Sequence, residues 1–164
     1  MASVAVILDA AVRPRTLLIK RADLTGDPWS GQVAFPGGKA QPEDRTVRDT
    51  AIREALEEVG VDLLRDGEFM GYFDSFRTHT GSMDVIPSLF TLKSEVSVVA
   101  NAEVSSYKWI DILSLTSPAS VTAHRLEFSG ETMNMPAYRI DDYVVWGLTH
   151  RIISSLLGDA KASG

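Results

Sequence analysis

The sequence predicts an α/β domain, a mixed β-sheet sandwiched between α-helices in an α/β/α arrangement. Three observations carry that expectation. Short β-branched and aliphatic runs stand before and after an amphipathic helical stretch that begins near Thr46. A second helical stretch, Tyr143 to about Leu157, carries a wide apolar stripe. No internal repeat or low-complexity tract intervenes, so a single domain over residues 1–160 with a disordered tail at 161–164 is expected.

The elements follow in order. Ser3–Leu8 and Arg15–Arg21 read as strands separated by a turn at Asp9–Pro14, hence a hairpin or neighbouring strands. Lys20 and Arg21 end the second strand as edge charges. Ala22–Ser30 is a loop whose Trp29 closes over the core or stacks on a base. Gln32–Phe35 is a short buried strand that Pro36-Gly37-Gly38 stops with a sharp bend. Asp44 or Thr46 caps the first helix and Gly60 ends it. Its residues Ile52, Ala55, Leu56 and Val59 form one buried stripe, which puts Glu54, Glu57 and Glu58 on the opposite side.

Phe69–Thr78 and Met83–Leu92 are two further strands joined by His79-Thr80-Gly81-Ser82. Their imperfect alternation predicts cover on both faces. Asp111–Leu115 is a short helix and Ser117–Ala123 a loop; Arg125–Phe128 and Thr132–Pro136 form a hairpin turning at Ser129-Gly130. Asp141 or Asp142 caps the closing helix and Gly158 ends it, with His150 on its surface or in its packing.

Composition narrows the function. Apolar residues make up 45% and charged residues 23% of the 164 residues, ordinary values for a globular protein. There is no cysteine, so disulfides and thiolate metal sites are excluded and an intracellular, cytoplasmic setting fits. No apolar run is long enough to span a membrane. The net charge of −6, with no basic block, argues against nucleic-acid grooves.

The first helix is electrostatically odd. Glu57 and Glu58 sit in its last turn, where the macrodipole opposes each carboxylate by roughly 0.3–1 kcal/mol. Glu54 and Glu58 are also a like-charge i,i+4 pair. A bound divalent cation reverses the sign of every one of these effects and bridges an acidic protein to a polyanionic substrate. The alternative is a solvated acidic face with Arg53 and Glu57 paired.

PGGK at Pro36–Lys39 followed by REALEEVG at Arg53–Gly60 resembles the Nudix box of the Nudix hydrolases. That pattern is a glycine, five residues, a glutamate, seven residues, then R-E-U-x-E-E-x-G-U with U aliphatic. The second half matches at every fixed position. The first half holds one residue too many ahead of Arg53, and its acid is Glu43 or Asp44. The stretched box, GQVAFPGG and YVVWGLTHRI resemble the coenzyme A diphosphatase branch, while Leu17–Arg21 keeps only part of that branch's lead-in.

The resemblance implies the α/β/α Nudix fold and hydrolysis of a nucleoside diphosphate linked to another moiety. It implies Mg²⁺ or Mn²⁺ held by the Gly38 carbonyl, Glu54, Glu57 and Glu58. Either Glu54 or Glu103 is the base, and Arg53 with Glu43 or Asp44 is structural. Arg21 is a candidate phosphate ligand. Phe76, Arg77 and His79 are candidate substrate contacts, as are His124 and Arg125 more speculatively. Coenzyme A, ADP-ribose or a similar dinucleotide, and (d)NTPs are the substrates in view, with a binding module that has lost chemistry as the non-enzyme alternative. A homodimer stays open.

Overall fold

The computed structural model describes residues 1–23, 25, 31–78 and 81–163; Trp29 and His79 lie outside them. Strand β1 (Ala2–Asp9) is the axis. It meets β2 (Arg15–Arg21) antiparallel at Leu8–Thr16, and β3 (Val33–Ala34) extends β2. At its other end β1 pairs antiparallel with β4 (Gly37–Lys39). Helix α1 (Val47–Val59) and the short α2 (Leu63–Asp66) precede β5 (Gly67–Tyr72) and β6 (Phe76–Arg77). Both of these strands pair antiparallel with β7 (Asp84–Leu92), which runs parallel to β1. Strand β8 (Val104–Asp111) closes the sheet against β2. One parallel pairing among antiparallel ones makes the sheet mixed, as the sequence predicts.

Strand alternation sorts two cores. Ala5, Ile7, Leu17 and Ile19 face α1 and α2 through Ala51, Ala55, Val59 and Leu63. Val6 and Leu18 face the other way, towards Tyr143, Val145, Ile152, Ile153 and Leu157. That second layer is a separate three-stranded sheet of β9 (Val121–Phe128), β10 (Glu131–Ile140) and β11 (Tyr143–Trp146), followed by α3 (Gly147–Ser163). Two 3₁₀ turns, Ile112–Thr116 and Pro118–Ser120, lead into it.

Several local expectations give way. The closing helix starts at Gly147, because Tyr143–Trp146 zips onto Ala137–Ile140 as a strand, where β-branched Val144 and Val145 fit. Asp141 and Asp142 therefore form the β10–β11 turn instead of a cap, with Asp141 at φ 53°. The backbone stays helical past Gly158, where the sequence predicts a stop. The β9–β10 hairpin is longer than its sequence signal, and Ser129-Gly130, both at positive φ, is its two-residue turn. Strand β5 is not covered on both faces: it is an edge strand whose alternate residues Met70 and Tyr72 are exposed.

The largest correction concerns α1. Its buried residues are Thr50, Ala51, Ala55, Glu58 and Val59, whereas Leu56 is 52% exposed. The small side chains of Ala51 and Ala55 let the helix lie close on β1, and this turns Glu54 and Glu58 inward. The expected opposition of apolar stripe and acids does not hold. Thr46 is the N-cap, its hydroxyl accepting from the Asp49 N–H, and Gly60 is the C-cap.

Gly60 sits in the left-handed region at φ 68°, and a Cβ there would lie 3.3 Å from Val99 Cβ. Gly60→Ala is expected to lower stability by about 1–2 kcal/mol. Urea denaturation at unchanged m-value checks this.

Candidate active site

The glycine strand and the helix end build the site together. A Cβ on Gly37 would lie 2.5 Å from the Ser3 carbonyl oxygen, and one on Gly38 would lie 2.5 Å from Glu54 Oε1. The chain bends at Pro36, as expected, and passes from β3 on β2 to β4 on β1; Gly37 itself is extended and is glycine for room against the β1 backbone. Glu54 fills the space beside Gly38, and Glu58, only 1% exposed, meets the same strand at Gly37. Its Oε1 accepts the Gly37 N–H at 2.9 Å. Its Oε2 is buried and accepts no hydrogen bond; the Arg21 Nη1 atom stands 3.8 Å away.

Burial is the first cause that pushes the Glu58 carboxyl up to about 7; the negative charges of Glu54 and Glu103 add to it, while Gly37 N–H and Arg21 oppose. Glu54 is raised too, chiefly by burial and further by Glu57 and Glu103, with Arg53 opposing. Glu103, on the segment leading into β8, is thereby placed in the same electrostatic neighbourhood. Its backbone carbonyl accepts the Ala22 N–H at 2.9 Å. Glu57, with its side chain 54% exposed, is the outermost of the helix carboxylates.

Arg53 ties the loop to the helix. Its Nε and Nη2 donate to the two Asp44 oxygens at 3.2 and 3.0 Å, Nη2 donates to the Lys39 carbonyl at 3.1 Å, and Nη1 donates to Glu54 Oε1 at 3.0 Å. Glu57 Oε2 lies 3.5 Å from Nη1. Asp44 also accepts from the Gln41 N–H and the Thr50 hydroxyl, and its carboxyl is held well below the usual range, first by Arg53. The acid that meets Arg53 is thus Asp44, while Glu43 is exposed. Gly38 and Asp44 keep the five-residue spacing of the box, so the extra residue falls between Asp44 and Arg53, at the helix entry.

Among the described residues, no three acids or histidines converge as a ready metal cage. Arginines stand between them: Arg53 engages Glu54 and Glu57, and Arg21 faces Glu58. The other candidates lie apart. Phe76 packs on the second core and Arg77 pairs with Asp84 at 3.1 Å, on strands across β1 from Gly38. His124 stacks on Trp146 at 4.5 Å and His150 on Tyr138 at 4.6 Å. Two features escaped the sequence reading, the burial of Glu58 and the Thr50–Asp44 bond. Their signal was the pair Ala51 and Ala55, four residues apart on one helix face, which marks the close-packed side.

A family profile described as the NUDIX domain matches residues 1–129. The chain is 33% identical over 156 residues to the uncharacterized Nudix hydrolase NudL of Photorhabdus laumondii, covering 93% of this chain and 81% of that protein. Identity to NudL of Yersinia pestis is 34% over 149 residues, 87% of this chain and 71% of that one. Among solved structures, a Caenorhabditis elegans Ap4A hydrolase binary complex aligns with a TM-score of 0.58 at 19% identity, covering 69% of this chain and 81% of that chain. The NUDIX domain of Shewanella oneidensis NrtR complexed with ADP ribose gives 0.51 at 20% identity, over 70% and 74%. These structural likenesses are likenesses of fold.

Glu58 carries a pH signature. Its carboxyl rises from an ordinary 4.5 to about 7 on folding, so its contribution to stability is full below the lower value and lost as pH climbs through the upper one. Metal-free protein is therefore expected to lose stability between about pH 5 and 7, by at most ~1.4 kcal/mol per unit, and Glu58→Gln to flatten that slope. Asp44, shifted the other way, acts only at lower pH. Urea unfolding in chelator across the window decides; a parental curve rising through it contradicts the assignment.

Proposed function

This chain belongs to the Nudix family, and from that premise we propose that it cleaves the diphosphate of coenzyme A or a derivative, giving 3′,5′-ADP and 4′-phosphopantetheine. As a Nudix pyrophosphohydrolase it hydrolyses a diphosphate linkage in a nucleoside diphosphate derivative. The coenzyme A assignment is supported by GQVAFPGG, by the extra residue at the helix entry, and by the VWGLT segment that joins β11 to α3.

One observation carries the site assignment: Glu58 keeps a buried oxygen without a hydrogen bond, with Glu54 and Glu103 close enough to raise its pKa. Nudix hydrolases generally use divalent ions, and this donor set fits one, because Mg²⁺ and Mn²⁺ prefer carboxylate and carbonyl oxygens. Glu54, Glu57, Glu58 and the Gly38 carbonyl would hold it. When bound, such ions supply positive charge against the diphosphate oxygens and lower the pKa of water.

In the reaction a water oxygen bonds to phosphorus while the bond from phosphorus to the leaving oxygen breaks, and the leaving phosphate keeps the electron pair. Positioning and charge stabilisation provide most of the catalysis in such a transfer. Glu54 and Glu103 are the two candidates for taking the water's proton. Arg53 holds Glu54 in position through Asp44 and the Lys39 carbonyl. A second reading, cleavage of ADP-ribose or a similar dinucleotide, rests on the incomplete lead-in at Leu17–Arg21.

A panel of coenzyme A, its 3′-dephospho form, ADP-ribose and (d)NTPs with Mg²⁺ or Mn²⁺, with products identified by mass, is expected to show the first two cleaved fastest. Both left intact beside cleaved ADP-ribose would reverse the assignment. Glu57→Gln is expected to cost about a hundredfold in kcat/KM, about 2.7 kcal/mol. Gln replacements of Glu54 and Glu103 in turn identify the base by the larger loss in kcat.

A further inference from the structure

Glu58 and Arg21 form a long ion pair. The 3.8 Å from Nη1 to Oε2 exceeds the roughly 2.7–2.9 Å of a charge-assisted hydrogen bond, although both groups belong to the protein interior or its margin. Arg21 reaches the carboxylate from the sheet, where its backbone is fixed opposite Val104 of β8 beside the bulge at Lys20/Arg21. The second carboxylate of the pair, Glu54, has its own cation in Arg53, which Asp44 and the Lys39 carbonyl anchor. The two inward acids of α1 thus each answer to a different arginine, Glu54 through a hydrogen-bonded pair at 3.0 Å and Glu58 through an ion pair at 3.8 Å.

We propose that Arg21 is the resident counter-ion of Glu58 and competes with the divalent ion for that carboxylate, thereby setting the protein's metal affinity. The inference rests on the metal reading above and concerns a different quantity, the strength of binding rather than its place. In the absence of a divalent ion, Glu58 meets the negative charges of Glu54 and Glu103, and the guanidinium offsets part of that repulsion. An ion that takes Glu58 Oε2 arrives beside a like charge a few ångströms away. Coulomb's law at an effective dielectric constant of ~20, reduced by salt and by retreat of the side chain, makes that penalty about tenfold in the dissociation constant.

Titration calorimetry of Mn²⁺ into the full-length protein, without substrate, tests this alongside thermal unfolding in EDTA. Arg21→Met and Arg21→Gln are each expected to bind Mn²⁺ about tenfold more tightly than the parent, and Arg21→Lys within about twofold of it. In EDTA the two neutral variants are expected to melt below the parent, and Mn²⁺ to raise their Tm by more. Parental binding with equal or weaker affinity in the neutral variants overturns the inference and leaves the metal reading standing. No Mn²⁺ binding by the parent overturns both. Should one neutral variant not fold, the other and the lysine variant carry the comparison.

Discussion

The arrangement depends on one constraint, the burial of a glutamate carboxylate beneath a glycine strand. Inside, Glu58 is held by one hydrogen bond, from the Gly37 N–H of β4 to its Oε1. Any side chain at Gly37 would collide with the β1 backbone, so the strand, the helix angle and the carboxylate are set together. A lone hydrogen bond offsets only part of the desolvation of a carboxylate, which in the interior costs several kcal/mol. The rest is met by protonation, by Arg21, or by a cation from outside. That residual demand is the physical basis of the site proposed at the helix end.

Arg53 and Asp44 supply rigidity around it. Four acceptors converge on one guanidinium, namely both Asp44 oxygens, the Lys39 carbonyl and Glu54. Since Asp44 also closes the Gln41 turn and takes the Thr50 hydroxyl, the loop that follows β4 is fastened to the first and second turns of α1. The extra residue ahead of Arg53 is absorbed at the helix entry, where Thr46 caps the helix. Spacing along the chain varies there without disturbing the distance between Gly38 and Glu54, which packing fixes.

The layers were legible in the sequence because strand and helix periodicities are strong in β1, β2, α1 and α3, and the box segment was legible because its residues are contiguous. The orientation of α1 was not. A stripe drawn through Ile52 and Leu56 ranks residues by hydrophobicity, whereas the helix docks through Ala51 and Ala55, whose small size permits close approach. Tyr143–Trp146 misled for a related reason: an apolar run before a helix reads as its first turn, and only the pairing with β10, a long-range partner, makes it a strand. That Phe76 and Arg77 lie on strands across β1 from Gly38 was not legible, since it depends on strand order.

The placement of carboxylates at the wrong end of a helix acquires a further meaning from the burial. Solvated acids at a C-terminus would each cost a few tenths of a kcal/mol, a cost a surface tolerates without reason. Glu58 is different: apolar replacement would relieve both the dipole and the desolvation, and Val59 beside it shows that the adjoining position is filled by an aliphatic side chain. A carboxylate kept inside at that expense, with one oxygen unsatisfied and two more acids facing it, is a strained arrangement in the electrostatic sense. Such strain persists where the structure gains something from the charge that folding alone does not require. If a cation completes the site, as proposed above, the energy withheld from stability is available to it, so the cost to folding and the gain in binding at this helix end are two readings of one quantity.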